Sequence, residues 1–238
     1  MPEEVPALPP DPALLNRQPK WFKKAFYGVI VASVLFFIAL IGLFFAPMIL
    51  RGNRNADQAQ ATSNARQIAL ALLEFDADYG TYPSDATVAK VAISHPAHGH
   101  DLSGKSSNAL FRQLIAVEYT QSEDIFYAKV KNSIRPDGVI LPGEALKRRE
   151  VGFAYISGLS SNDDPNTPIA LAPMIPGTTK FDPEGFGGRE NAVVLHIDGS
   201  VRPYKIQKDG RIYDKGIDLL SPKHPVWKGK KPDIRYPE

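Results

Sequence analysis

The chain has 238 residues, 28 Lys and Arg against 26 Asp and Glu, and no cysteine. A formal net charge of +2 leaves no electrostatic footprint for nucleic acid, and the missing cysteines exclude disulfides, zinc-thiolate sites and thiol catalysis. Once the N-terminal segments are set aside, the length suits one head domain of ordinary size.

Residues 1–24 open with prolines that include Pro2, Pro6, Pro9, Pro10 and Pro19. These oppose helix and sheet, so the segment reads as a disordered leader. From Ala25 to Leu50 no charged residue occurs, a run longer than the roughly 20 residues a helix needs to cross a bilayer. Residues 25–50 are therefore predicted to be a transmembrane helix. The alternative is a cleaved signal peptide, whose apolar region is only about 7 to 15 residues long. The small-x-small site Ala59-Gln60-Ala61 also lies well past the apolar run. Arg17, Lys20, Lys23 and Lys24 crowd before the span, whereas Arg51, Arg54 and Arg66 are spread out after it. That bias puts the N-terminus in the cytoplasm and the head outside it.

Residues 51–206 read as the head. They begin with a stalk helix, 55–79, in which Ala61, Ala65, Ile68, Leu72, Phe75 and Tyr79 fall at three- and four-residue steps. Gly80 is the expected stop. The turn Tyr82-Pro83-Ser84-Asp85 then offers Ser84 or Asp85 as the cap of a short helix through Val91. A polar loop follows, and a second helix is predicted for Ser107–Val117, with Leu110, Phe111, Leu114 and Ile115 on one face. Beyond Val151 the period changes to two. Val151–Ser157 and Ile169–Ala172 read as strands, and NAVVLHI and SVRPYKI form a hairpin about Asp198-Gly199, where Gly199 supplies the positive φ of a two-residue turn. Pro203 marks its strand as an edge. Residues 207–238, proline-punctuated and more basic than acidic, read as a strap anchored by Ile217, Leu219, Leu220 and Trp227. The predicted class is α+β, a long N-terminal helix packed on a small antiparallel sheet.

A basic leader, an apolar helix opening on Phe26, Pro47 about twenty residues in, and the segment NARQIALALLEFDADYGTYP together resemble a type IV pilin or type II secretion pseudopilin. The likeness is nearest to pseudopilin-like proteins of planctomycete and verrucomicrobial type, and SNALFRQLI, VGFAYISGL and NAVVLHIDGSV resemble that family's middle and closing strand pair. The resemblance implies a pilin-like fold kinked at Pro47, a single-pass protein of a bacterial inner membrane with a periplasmic head, and a non-catalytic structural or assembly role in a secretion or pilus-like system. Its partners would be the membrane and other pilin-like or secretion-system proteins, met through the N-terminal helix. The chain departs from the family at the processing site, where Ala25 replaces the usual Gly and Ile30 stands at the position of the filament-forming Glu. It is accordingly expected to keep its leader and serve as an accessory component.

Three stretches invite chemistry. Gly99–Ser106 spells G-x-x-x-x-G-K-S, the phosphate-cradling loop in which Lys105 and Ser106 would meet phosphate and Mg²⁺. A membrane-tethered P-loop NTPase is the alternative function this motif suggests, although the downstream strands do not alternate with helices as its parallel sheet requires. His95, His98, His100 and Asp101 offer nitrogen and oxygen ligands for zinc or nickel, but the loop shows no secondary structure to fix them and reads first as solvated. Asn162, Asp163, Asp164 and Asn166 resemble in composition the calcium loop of major pseudopilins but lack an EF-hand register, and turn-forming residues explain them as well. No catalytic residue and no cofactor are predicted, with calcium at the 162–166 loop as the alternative. No G-x-S-x-G or H-E-x-x-H motif occurs. A periplasmic ligand-binding or adhesion module on a pilin-like fold is the third reading.

Overall fold

The computed structural model describes residues 20–188 and 190–238; the side chains of residues 20–26, 28, 42 and 44–54 lie outside the description. Most of the expected leader, residues 1–19, also lies outside it, as does the side chain of Pro47, where the kink was expected. The chain divides into two compact units, Met1–Arg51 and Gly52–Glu238.

The first helix, α1, runs Lys20–Tyr79. In the first unit its described side chains are mostly apolar and exposed, Tyr27, Val31, Phe36, Phe37 and Leu43 among them. Among the described residues no helix is long and apolar enough to cross a membrane. The span expected over 25–50 falls in good part on residues outside that set.

The second unit is α+β. It contains the last part of α1, then α2 (Val88–Ser94) and α3 (Ser107–Ala116). Five strands, β1 (Ala154–Ser157), β2 (Pro168–Ala172), β3 (Asn191–His196), β4 (Val201–Lys205) and β7 (Asp233–Arg235), form an antiparallel sheet in the order β4-β3-β2-β1-β7. A separate two-stranded ribbon joins β5 (Tyr213–Asp214) to β6 (Ile217–Asp218).

Strand alternation gives the sheet two covered faces. On one face Tyr155, Val193 and Leu195 share a core with Phe111 and Leu114 of α3 and with Ala61, Ala65, Ile68, Leu72 and Phe75 of α1. Those five α1 residues are at most 1% exposed. Burying Ile68, Leu72 and Phe75 contributes about 1.5–3 kcal/mol each. Phe111 stacks on Phe126 with centroids 4.7 Å apart and meets Tyr155 edge-on at 5.2 Å. Gly80 ends α1 at φ +71, its N–H on the Asp76 carbonyl at 2.8 Å. The other face sets Ile156, Leu171, Ala192 and Val194 against Phe181, Ile206, Ile212, Leu219, Leu220 and Trp227. Residues 207–238 thus lie across this face and also supply β7, which pairs Ile234 with Ile156 of β1. Arg235 in β7 reaches Asp85 at 2.9 Å.

Three local details depart from the sequence expectations. Neither Ser84 nor Asp85 caps α2; the helix starts at Val88 after Thr87. The Thr87 hydroxyl is engaged instead, accepting from the Ser84 N–H at 2.8 Å and donating to Gln113 Oε1 at 2.5 Å. Ile217 is exposed and anchors nothing, because in the β5–β6 ribbon it is Asp218 that turns inward, taking Arg211 at 2.7 Å and the Leu220 N–H at 3.0 Å. The β3–β4 turn is longer than two residues. Gly199 donates to His196 O and His196 to Ser200 O, with Gly199 at φ +76 and Asp198 at negative φ, a type I turn closed by a left-handed glycine. Ile197 is held in this turn by its N–H on the Thr167 carbonyl at 3.0 Å and by burial of its side chain.

Candidate functional site

The G-x-x-x-x-G-K-S stretch has no strand leading into it; α2 and a loop precede it. Every pairing in the five-stranded sheet is antiparallel, so the parallel sheet of a phosphate-binding loop is not what surrounds it. Lys105 is exposed. Ser106 is the N-cap of α3, accepting from the Ala109 N–H at 3.2 Å while donating to Glu238 Oε1 at 2.5 Å. A hydroxyl so committed is occupied with folding.

In the histidine loop, the His100 N–H donates to His98 Nδ1 at 2.8 Å and the two rings stack with centroids 6.0 Å apart. Burial lowers the His100 pKa, with His98 and Arg112 adding to the fall. Hydrogen bonds from Ser103, side chain then backbone, hold the Asp101 carboxyl below its ordinary value. His95 is turned elsewhere, toward Ser94 and Tyr79.

In the acidic loop, Asp163 Oδ2 accepts from the Ser160 N–H at 2.9 Å and Asp164 Oδ1 from the Asn166 N–H at 2.9 Å. Asn166 gives its carbonyl to His196 Nδ1–H at 2.7 Å and its Oδ1 to Arg202 at 3.1 Å, while Asn162 is exposed. Asp198 binds Ser200 and Arg202. Burial would raise its carboxyl, but these hydrogen bonds and the Arg202 charge outweigh it and the net shift is downward. Among the described residues no group of three or more His, Asp or Glu side chains is placed to hold a metal ion.

One recess was not foreseen. A cleft of about 730 Å³ opens at the end of the sheet where β2 leaves and β1 and β7 have their outer ends, lined by 130–133, 148–149, 151–152, Ala154, 173–176, Asp182 and 237–238. Its walls are fixed by backbone bonds: Ile134 N–H to Arg149 O at 2.9 Å, Arg149 N–H to Glu238 O at 2.8 Å, and Asp182 N–H to Pro173 O at 3.0 Å. Two non-glycine residues of the lining are left-handed, Asn132 at φ +64 and Arg149 at φ +74, and Arg149 Nε donates to the Asn132 carbonyl. The only sequence signal was the basic run Lys147-Arg148-Arg149 and the nearby Lys129 and Lys131, which has no periodicity to set it apart from a solvated surface.

Beneath one wall lies a buried acidic pair. Glu123 accepts from the Leu146 N–H at 2.5 Å and Glu150 from the Lys147 N–H at 2.6 Å. Glu123 Oε2 is buried without a hydrogen-bond partner. Burial raises the Glu123 pKa against the Leu146 hydrogen bond, and Glu150 and Asp137 raise it further.

No protein-family model, curated protein or solved structure matches this chain. The fold therefore stands on its own geometry: a helix-covered antiparallel sheet with a preformed cleft at one end.

Proposed function

We propose that the protein is a membrane-anchored, pseudopilin-like structural or assembly component of a secretion or pilus-like system, with no catalytic step of its own. The observation that carries this reading is the double use of α1. Between Tyr27 and Leu43 the described side chains are mostly apolar and exposed, whereas Ala61, Ala65, Ile68, Leu72 and Phe75 are buried in the core beside the sheet. Exposed apolar surface on this scale calls for lipid or other helices as its cover. Ile30 brings no carboxylate to that surface, which favours an accessory role over a filament subunit. On this reading the leader is retained, its basic residues preceding the span as the cytoplasmic side requires.

Crosslinking in intact membranes, followed by identification of the captured proteins and by mass spectrometry of the N-terminus, tests this. Helix-mediated crosslinks to pilin-like or secretion-platform proteins, with Met1 or Pro2 first, are expected. A chain that fractionates away from membranes, or whose C-terminal fusion to a reporter active only in the cytoplasm is active, overturns the reading.

A further inference from the structure

We infer that the cleft at the end of the sheet binds a small organic oxyanion, a phosphate or carboxylate carried on an apolar body. The volume of about 730 Å³ falls within the roughly 300–1,000 Å³ of small-molecule sites. The lining is divided in chemistry. Val130, Val151, Pro173, Met174, Ile175 and Pro176 supply apolar wall, and Lys131, Arg148 and Arg149 supply cationic wall.

The cations are available. Among the described residues Lys131 and Arg148 meet no carboxylate or hydrogen-bond partner, and the Arg149 side chain is held by the neutral Asn132 carbonyl. The two acids of the lining keep their charge but are turned to other partners, Asp182 Oδ1 accepting from the Glu184 N–H at 2.9 Å and Glu238 Oε1 from Ser106, and neither forms an ion pair with the three cations. Three cations without a carboxylate partner thus share one concavity with apolar residues. A guanidinium offers paired donors that match the oxygens of carboxylate or phosphate, and partial desolvation strengthens the contact.

The cleft also exists before any ligand arrives. Asn132 and Arg149 hold positive-φ conformations that non-glycine residues rarely adopt, yet the backbone bonds from Ile134 N–H to Arg149 O and from Arg149 N–H to Glu238 O hold this wall in place. Strain kept in this way aims the wall without asking the ligand to order it.

The test is calorimetric titration of the full chain in nonionic detergent with four probes: 1-naphthyl phosphate, 1-naphthoate, 1-naphthol and inorganic phosphate. Saturable binding of one naphthyl phosphate or naphthoate per chain is expected, with the tighter of the two identifying the anion. Naphthol and inorganic phosphate should each bind at least tenfold more weakly. The Lys131→Glu/Arg148→Glu double variant changes only exposed, unpartnered side chains, so its unfolding midpoint should match the parent while naphthyl binding falls at least tenfold. Ile175→Ser should weaken the naphthyl compounds and leave inorganic phosphate unchanged. Absence of saturable binding, naphthol binding as tight as the anions, inorganic phosphate binding as tight as naphthyl phosphate, or an undiminished affinity in the folded double variant would each overturn the proposal.

Discussion

Asn64 joins the helix to the rest of the second unit, and its removal is the sharpest test of the architecture. Its side chain is 6% exposed, and its Nδ2 donates to the carbonyls of Asp124 at 2.6 Å and Tyr127 at 2.8 Å. Asn64→Ala strands both acceptors. The Tyr127 carbonyl bond is buried, so its loss costs about 1–3 kcal/mol; that of Asp124 is part-buried and costs about 0.5–1.5 kcal/mol. The total is about 2–4 kcal/mol, and with a urea m value of about 2 kcal/mol/M the midpoint should fall by about 1–2 M. The assay is urea unfolding followed by tryptophan fluorescence in a Trp21→Phe background, leaving Trp227, which is buried with its indole N–H on the Leu219 carbonyl. Asn64→Asp should be worse than Ala at pH 7, because a carboxylate would face two carbonyl oxygens, and should improve as acid protonates it. If Asn64→Ala unfolds within about 0.3 M of the parent, the helix is not clamped as described.

Three further substitutions probe separate features. Gly199→Val meets no heavy atom within 4 Å of the new Cβ, so its expected cost is chiefly backbone strain, about 1–3 kcal/mol; an unchanged melting temperature would contradict the left-handed turn. Gly152→Ala would place a Cβ 2.4 Å from Ala128 O and 2.5 Å from Ala128 N, and since both are backbone the loss should exceed about 4 kcal/mol; recovery of soluble protein with parental stability would refute the close approach. Glu123 has a folded pKa raised above the ordinary 4.5; the folded state therefore holds the proton more tightly, and stability falls as pH rises from 4.5 through the folded value. Glu123→Gln keeps the acceptor for the Leu146 N–H and should flatten that decline, whereas an unchanged slope in unfolding midpoints against pH would place its origin elsewhere.

The elements legible in the sequence were those with a period. Ala61, Ala65, Ile68, Leu72 and Phe75 could be read because one face of a helix repeats at three and four residues, and β3 and β4 because Asp-Gly sits between two alternating runs. The segment 118–150 has no such period. It is held by side chains reaching carbonyls and amides from elsewhere: Asn64 on Asp124 and Tyr127, Asn108 on Leu146 and Lys147, Arg112 on Ala145 and Leu146, Glu123 on Leu146. These bonds leave no local pattern, so the cleft built on that segment was invisible. β7 was missed for a similar reason, since Asp233-Ile234-Arg235 between Pro232 and Pro237 is too short and too polar to announce a strand. Conversely, the motif-like Gly99–Ser106 and the 162–166 loop matched patterns of composition, and side chains such as Ser106, Asp163 and Asp164 are spent on caps and turns.

The placement of β7 beside β1 also dictates an order of events during synthesis. Asp85 and Arg235 meet across 150 residues, and Ser106 and Glu238 across 132. At a translation rate of about 5–20 residues per second, β1 would wait roughly 4–15 s after Ser157 is made before its neighbour Asp233 exists. Throughout that interval the outer edge of β1 is an unpaired row of donors and acceptors, open to strand addition from any passing chain. Closure of the sheet is thus a late, long-range step, and a ribosome-bound nascent chain is the state in which this protein most needs protection from its neighbours.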